Sequence, residues 1–136
     1  MSETQQYRLL HTMLRIRDVE KSIDFYTRHL GMKLLRRKEY PDGKFTNVFV
    51  GYGDENSETV LELTHNWDQE EAYDLGDAFG HLAVAVPDIY KTCENLAAEG
   101  VNIPRAPGPM KFGDGLTAIA FIEDPDGYKI ELIQRS

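Results

Sequence analysis

At 136 residues, with 41% hydrophobic and 10% aromatic side chains, the chain has the length of one domain with a true core and an ordinary globular composition. Its formal net charge of −8 argues against nucleic acid or an anionic membrane as the main partner. Apolar runs such as LAVAV and TAIAFI are too short to span a bilayer, and the opening MSETQQYRLL has no basic-then-apolar signal pattern. Cys93 is the only cysteine, which excludes an intramolecular disulfide and leads to an expectation of a reducing, cytoplasmic setting.

Taken in chain order, the elements come in two similar sets offset by about 70 residues, and self-similarity of this kind decides architecture before any single motif does. His11 opens a strand pattern, HTMLRIRDV, and Asp18 then stands where a side-chain oxygen can cap a helix. Apolar Val19, Ile23, Tyr26 and Leu30 follow at helical spacing, and Gly31 sits where a helix can end in a left-handed turn. Strands are expected at roughly 32–38, 44–51 and 58–65, with Pro41-Asp42-Gly43 as a turn between the first two. Arg36, Arg37 and Lys38 read as a solvated strand end rather than a binding patch.

A linker at 65–80 leads to the second set. His81 opens HLAVAVPDI, Asp88 is the cap, Ile89, Cys93 and Leu96 make the helical stripe, and Gly100 ends it. Strands are expected at roughly 101–104, 116–123 and 128–134, with Asp124-Pro125-Asp126-Gly127 as a turn. The segment 105–115, rich in Gly and Pro, is expected to be a loop and a candidate lid. The fold class is therefore α+β: two tandem βαβββ modules, about 8–66 and about 80–134, forming a single domain over 1–136.

Strand alternation sorts the side chains into faces. Leu9, His11, Met13 and Arg15 share one face, and Leu10, Leu14 and Ile16 the other. Val60, Glu62, Thr64 and Asn66 share a face, as do His81, Ala83 and Ala85, and as do Lys129, Glu131 and Ile133. His11 precedes Glu62 by 51 residues, and His81 precedes Glu131 by 50. A lone strand histidine or glutamate is ordinarily a hydrogen-bonded or solvated residue, but a His and a Glu repeated at matched positions opposite the apolar set point to a metal site. Two imidazoles and two carboxylates suit Ni, Co, Zn, Fe or Mn and not a structural thiolate zinc site. His29, at a helix end, and His65, on the strand face away from Glu62, are expected to be non-ligands.

LLHTMLRIRDVEKSIDFYTRHLGMKLL, VLELTHNW, FGHLAVAV and EDPDGYKIELI closely resemble glyoxalase I, the lactoylglutathione lyases of the vicinal oxygen chelate superfamily, over nearly the whole chain. The resemblance implies paired modules with sheets curved around a metal site, and His11, Glu62, His81 and Glu131 as the metal ligands. It implies a homodimer with shared active sites, in which two ligands of each site come from either chain. Its short members favour Ni²⁺ or Co²⁺ over Zn²⁺, so nickel is expected in this short chain. The implied substrate is the hemithioacetal of glutathione and methylglyoxal, isomerised through an enediolate, with Glu131 as catalytic base and Glu62 as its pseudo-symmetric counterpart. Arg15 and Asn66 are implied to bind glutathione's glutamyl part, and Lys111 is the nearest candidate for its glycyl carboxylate.

Two departures bear on that last assignment. The loop PGPMKFGDGLT is longer than the short bacterial pattern, and Asp77 stands where some relatives have Arg. Two rival activities share the superfamily. A ring-cleaving dioxygenase would need iron on a 2-His-1-carboxylate triad, and the fourth donor, Glu62, speaks against it. An antibiotic-sequestering binding protein would have no need of four intact donors.

Overall fold

The computed structural model describes residues 2–136 and resolves into two compact units, the first running to Tyr73 and the second from Asp74 to Ser136. In the first unit, strand β1 (His11–Ile16) leads into helix α1 (Val19–Asp24), followed by β2 (Lys33–Tyr40), β3 (Phe45–Gly51) and β4 (Val60–Asn66). The four strands form one sheet in the order β1-β4-β3-β2, with β1 parallel to β4 and the other pairs antiparallel. The second unit repeats this plan with β5 (Leu82–Val86), α2 (Ile89–Ala98), β6 (Arg105–Pro109), β7 (Ala118–Glu123) and β8 (Lys129–Gln134). Its sheet order is β5-β8-β7-β6, again with the first and last strands parallel.

The expected caps are present in both units. Lys21 N donates to Asp18 Oδ1 at 3.0 Å, and Lys91 N donates to Asp88 Oδ1 at 3.1 Å. Each bond satisfies one of the backbone donors that a helix start leaves open. Gly31 and Gly100 take φ of 73° and 84°, the left-handed region that glycine enters without a Cβ clash.

Between those landmarks the units differ by one residue: Asp18 is 13 positions from Gly31, whereas Asp88 is 12 from Gly100. The first helix absorbs the extra residue by widening into a π turn over Phe25–His29. The net excess of one residue between His11 and Glu62, relative to His81 and Glu131, has the same size. A single insertion in the helix therefore leaves the sheet positions of the repeated His and Glu in register.

The helix side of each sheet is apolar and buried, and on the other face Phe49, Val60, Thr64 and Ile119 are buried as well. Leu14, Ile16, Leu63, Val48 and Val50 pack with Tyr26 in the first unit, and Ile122, Ile130 and Leu132 are buried with Ile89, Cys93 and Leu96 in the second. Leu14, Ile16, Leu63, Ile130 and Leu132 belong to the apolar sets that alternation placed opposite the His and Glu, whereas Leu10, placed with Leu14 and Ile16, precedes β1 and is exposed.

One expected strand is misplaced. Residues 101–104 form no strand; β6 lies instead at Arg105–Pro109, inside the segment expected to be loop. The stretch after α2 is occupied in leaving the helix: Val101 N donates to Leu96 O at 3.0 Å, and Asn102 O accepts from Glu123 N at 3.0 Å. Pro107 and Pro109 make RAPGP read as non-strand, but β6 is an edge strand, where a missing N–H costs no ladder bond on the open side. The remaining loop, 110–117, carries the exposed side chains of Phe112 and Leu116.

Candidate metal centre

The parallel pairing of β1 with β4 sets Met13 opposite Glu62, and the pairing of β3 with β4 sets Phe49 on the other side of it. His11, two residues before Met13, lies on the same face, and its Nε2 stands 3.6 Å from Glu62 Oε1. In the second unit Ala83 and Phe121 flank Glu131 in the same way, and His81 Nε2 stands 3.2 Å from Glu131 Oε1. The two pairs are also matched in burial: the histidine side chains are 36% and 40% exposed, the glutamates 17% and 16%. Each pair thus offers one accessible imidazole beside a sheltered carboxylate.

These distances suit neighbouring ligands of one ion. Donors about 2.1 Å from a common ion lie about 3.0 Å apart at right angles and about 3.4 Å apart at the tetrahedral angle. The observed 3.6 and 3.2 Å need only small side-chain rotations to match either geometry. The donor set also fits, because imidazole and carboxylate together suit first-row divalent ions. Two donors are the limit for either unit: among the described residues, no three His, Cys, Asp or Glu side chains gather as a metal group.

Each pair has an aromatic neighbour that sequence reading did not single out. Phe49 meets the His11 ring edge-on at 5.8 Å and 79°, and Phe121 meets His81 at 5.1 Å and 80°. The signal was available, since Asn47 and Phe49 alternate onto the Glu62 face once β3 is registered against β4. Register between strands, however, is not contained in the pattern of either strand alone.

Arg15 and Asn66 are brought together. Arg15 Nη1 donates to Asn66 Oδ1 at 2.8 Å, and the Tyr73 hydroxyl donates to the same oxygen at 3.4 Å. Thr64, opposite Arg15 on β4, donates through Oγ1 to Asn47 Oδ1 at 2.8 Å, which extends a polar row beside the His–Glu pair. Lys111 lies in the exposed loop after β6, its Nζ 5.3 Å from the Phe112 ring centroid. The far side of that loop is pinned by Asp114, which accepts from Leu116 N, Thr117 N and Thr117 Oγ1. Those bonds, with the Thr117 amide the strongest, hold the Asp114 carboxyl down at about 2.

The remaining expectations sort cleanly. His65 Nδ1 lies 3.3 Å from the Ile16 carbonyl, and His29 packs against Phe25 within the π turn, both structural placements. The Arg36–Lys38 run is more than a solvated strand end. Arg36 is held by Glu55 and stacks on Phe49, and Arg37 pairs with Glu20 at 2.6 Å.

Similarity to known proteins identifies the family. The model of the Glyoxalase/Bleomycin resistance protein/Dioxygenase superfamily matches residues 8–132. A lactoylglutathione lyase of Neisseria meningitidis is 65% identical over 128 residues, covering 94% of this chain and 91% of the relative. The chain belongs to the lactoylglutathione lyase, or glyoxalase I, family. A member from Escherichia coli O157:H7 is 55% identical over 127 residues, with 93% and 92% coverage. Among solved structures, glyoxalase I from Zea mays superposes with a TM-score of 0.88 at 49% identity. That match covers 95% of this chain, which spans 45% of the maize protein. The trypanothione-dependent glyoxalase I of Leishmania major superposes at 0.81 with 43% identity, covering 95% of this chain and 87% of that one.

Proposed function

We propose that this chain is a lactoylglutathione lyase, which isomerises the hemithioacetal of methylglyoxal and glutathione to S-lactoylglutathione and so detoxifies methylglyoxal. The observation that carries the reading is the pair of matched His–Glu sets, 3.6 and 3.2 Å across, in a chain 65% identical to a lactoylglutathione lyase. Neither rival in the superfamily is favoured, since relatives at 55–65% identity over most of their length are lactoylglutathione lyases.

Two donors are fewer than the three protein ligands that a catalytic ion usually has, so one pair alone makes no site. The complete set in this reading is His11 and Glu62 with His81 and Glu131, drawn from both subunits of a homodimer. Nickel is the preferred ion, cobalt a close second and zinc less suited. Among the described residues no helix is long and apolar enough to cross a membrane, and a cytoplasmic setting is part of the proposal.

His11, Glu62, His81 and Glu131 would hold a divalent ion, which when bound would supply Lewis-acid stabilisation of developing negative charge. The protein does the rest. Glu131 takes the proton from the carbon that bears sulfur and returns it to the neighbouring carbon, while a proton passes between the two oxygens, so the reaction is a balanced isomerisation. Glu62, equivalent across the repeat, is placed to serve the hemithioacetal of opposite hand. Arg15 and Asn66 hold the glutamyl carboxylate and ammonium of glutathione, and Lys111 reaches its glycyl carboxylate from the loop after β6.

The test is direct. Nickel-loaded protein mixed with methylglyoxal and glutathione should generate thioester absorbance, and the chelated protein should not. A loaded protein that binds nickel yet forms no thioester would exclude the activity.

A further inference from the structure

The row that carries Glu62 continues past the ligand pair. Arg36 on β2 lies opposite Phe49 on β3, which lies opposite Glu62 on β4. The Arg36 guanidinium carbon sits 3.7 Å from the Phe49 ring centroid, close enough for a cation–π contact. Nε and Nη2 of the same guanidinium donate to the two oxygens of Glu55 at 2.8 and 3.0 Å, a fork that fixes its plane. The same ring makes a T-shaped contact with His11, the centroids 5.8 Å apart. Glu55, Arg36, Phe49 and His11 form one continuous stack.

The second unit has the same row and uses it differently. Arg105 lies opposite Phe121, and Phe121 opposite Glu131. Yet Arg105 Nη1 donates to the carbonyls of Ala106, Gly108 and Ile119 at 3.1, 3.1 and 2.7 Å, and Nη2 to that of Pro109 at 2.9 Å. Its guanidinium is taken up by the irregular edge strand β6.

We propose that Arg36 is a positioning residue of the metal centre: locked by Glu55, it holds the Phe49 ring and thereby the His11 imidazole, making the first unit's pair the preset half of the site. The second unit's pair, where Phe121 meets His81 but among the described residues no cation lies over Phe121, is the adjustable half. This rests on the reading of His11 and Glu62 as metal ligands.

The experiment follows nickel release to a chelator from the intact protein, together with the melting temperature of the metal-free form and KM for the hemithioacetal. Arg36→Gln, Glu55→Gln and Phe49→Leu should each speed release about 10-fold, the usual scale for a lost outer-shell partner. Arg36→Gln/Glu55→Gln should be no faster than either single variant, because both act through one stack. Glu55→Gln leaves the sheet untouched and keeps the test sound if Arg36→Gln folds poorly. Release rates unchanged in the folded Glu55→Gln and Arg36→Gln proteins would overturn the proposal. A raised KM with unchanged release would also overturn it, since Arg36 would then be a substrate cation. A His11→Ala protein that keeps nickel as tightly as the parent would remove the metal reading, and the stack's role with it.

Discussion

The two units share a ladder but not its furnishings. In the first, Arg15 and Asn66 stand beyond the His–Glu pair, joined by a 2.8 Å hydrogen bond. At the matching places the second unit has Ala85 and Arg135, and Ala83 replaces Met13 beside the glutamate. The His, the Glu and the Phe beside them (Phe49 and Phe121) are repeated, whereas the positions of Met13, Arg15 and Asn66 have diverged. In the proposed function, the two copies thus share the metal ligands while substrate recognition falls to Arg15 and Asn66 of the first copy. The small Ala83 and Ala85 leave room at Glu131 that Met13 and Arg15 do not leave at Glu62.

The largest expected effect separates the two glutamates. Glu131→Gln keeps an oxygen donor but removes the base, and kcat should fall by about 10²–10⁴-fold while nickel is largely retained. Glu62→Gln should lose less turnover and more metal. Measured kcat beside nickel content for both variants decides it, and a Glu62 variant that is the dead one would exchange the roles of the two units.

A smaller effect tests recognition. Arg15→Ala should raise KM for the hemithioacetal by the equivalent of about 1.5–3 kcal/mol, the scale of a charge-assisted hydrogen bond, with nickel content unchanged. Loss of metal in that variant would make Arg15 part of the ligand scaffold instead.

The mildest substitutions probe whether the units fold by the same local rules. Asp18→Ala and Asp88→Ala each remove one cap bond, of 3.0 and 3.1 Å. Each should lower stability by about 1 kcal/mol in denaturant titrations. A much larger cost at Asp18 would show that the π turn following α1 leans on its cap in a way that the longer α2 does not.

Much of this was legible in the sequence because it depends on short-range periodicity. The caps, the glycine exits, the buried faces of β1, β4, β5 and β8, and the placement of all four candidate ligands follow from alternation and repeat alone. What was hidden depends on pairing between strands. Phe49, Phe121 and the stacking of Arg36 appear only once β2, β3 and β4, or β6, β7 and β8, are set in register. The strand at Arg105–Pro109 was hidden for a different reason: prolines depress strand propensity, and only its edge position makes them harmless.

The sharpest measurement removes whole ligand pairs. A protein with both His11→Ala and Glu62→Ala, and another with both His81→Ala and Glu131→Ala, should each lose tight nickel binding and activity. Mixed and allowed to exchange subunits, they should regain one complete site per mixed dimer, seen as restored nickel binding together with thioester formation. Either double variant binding nickel like the parent, or a mixture as inactive as its components after confirmed exchange, would contradict a centre built from one pair of each subunit.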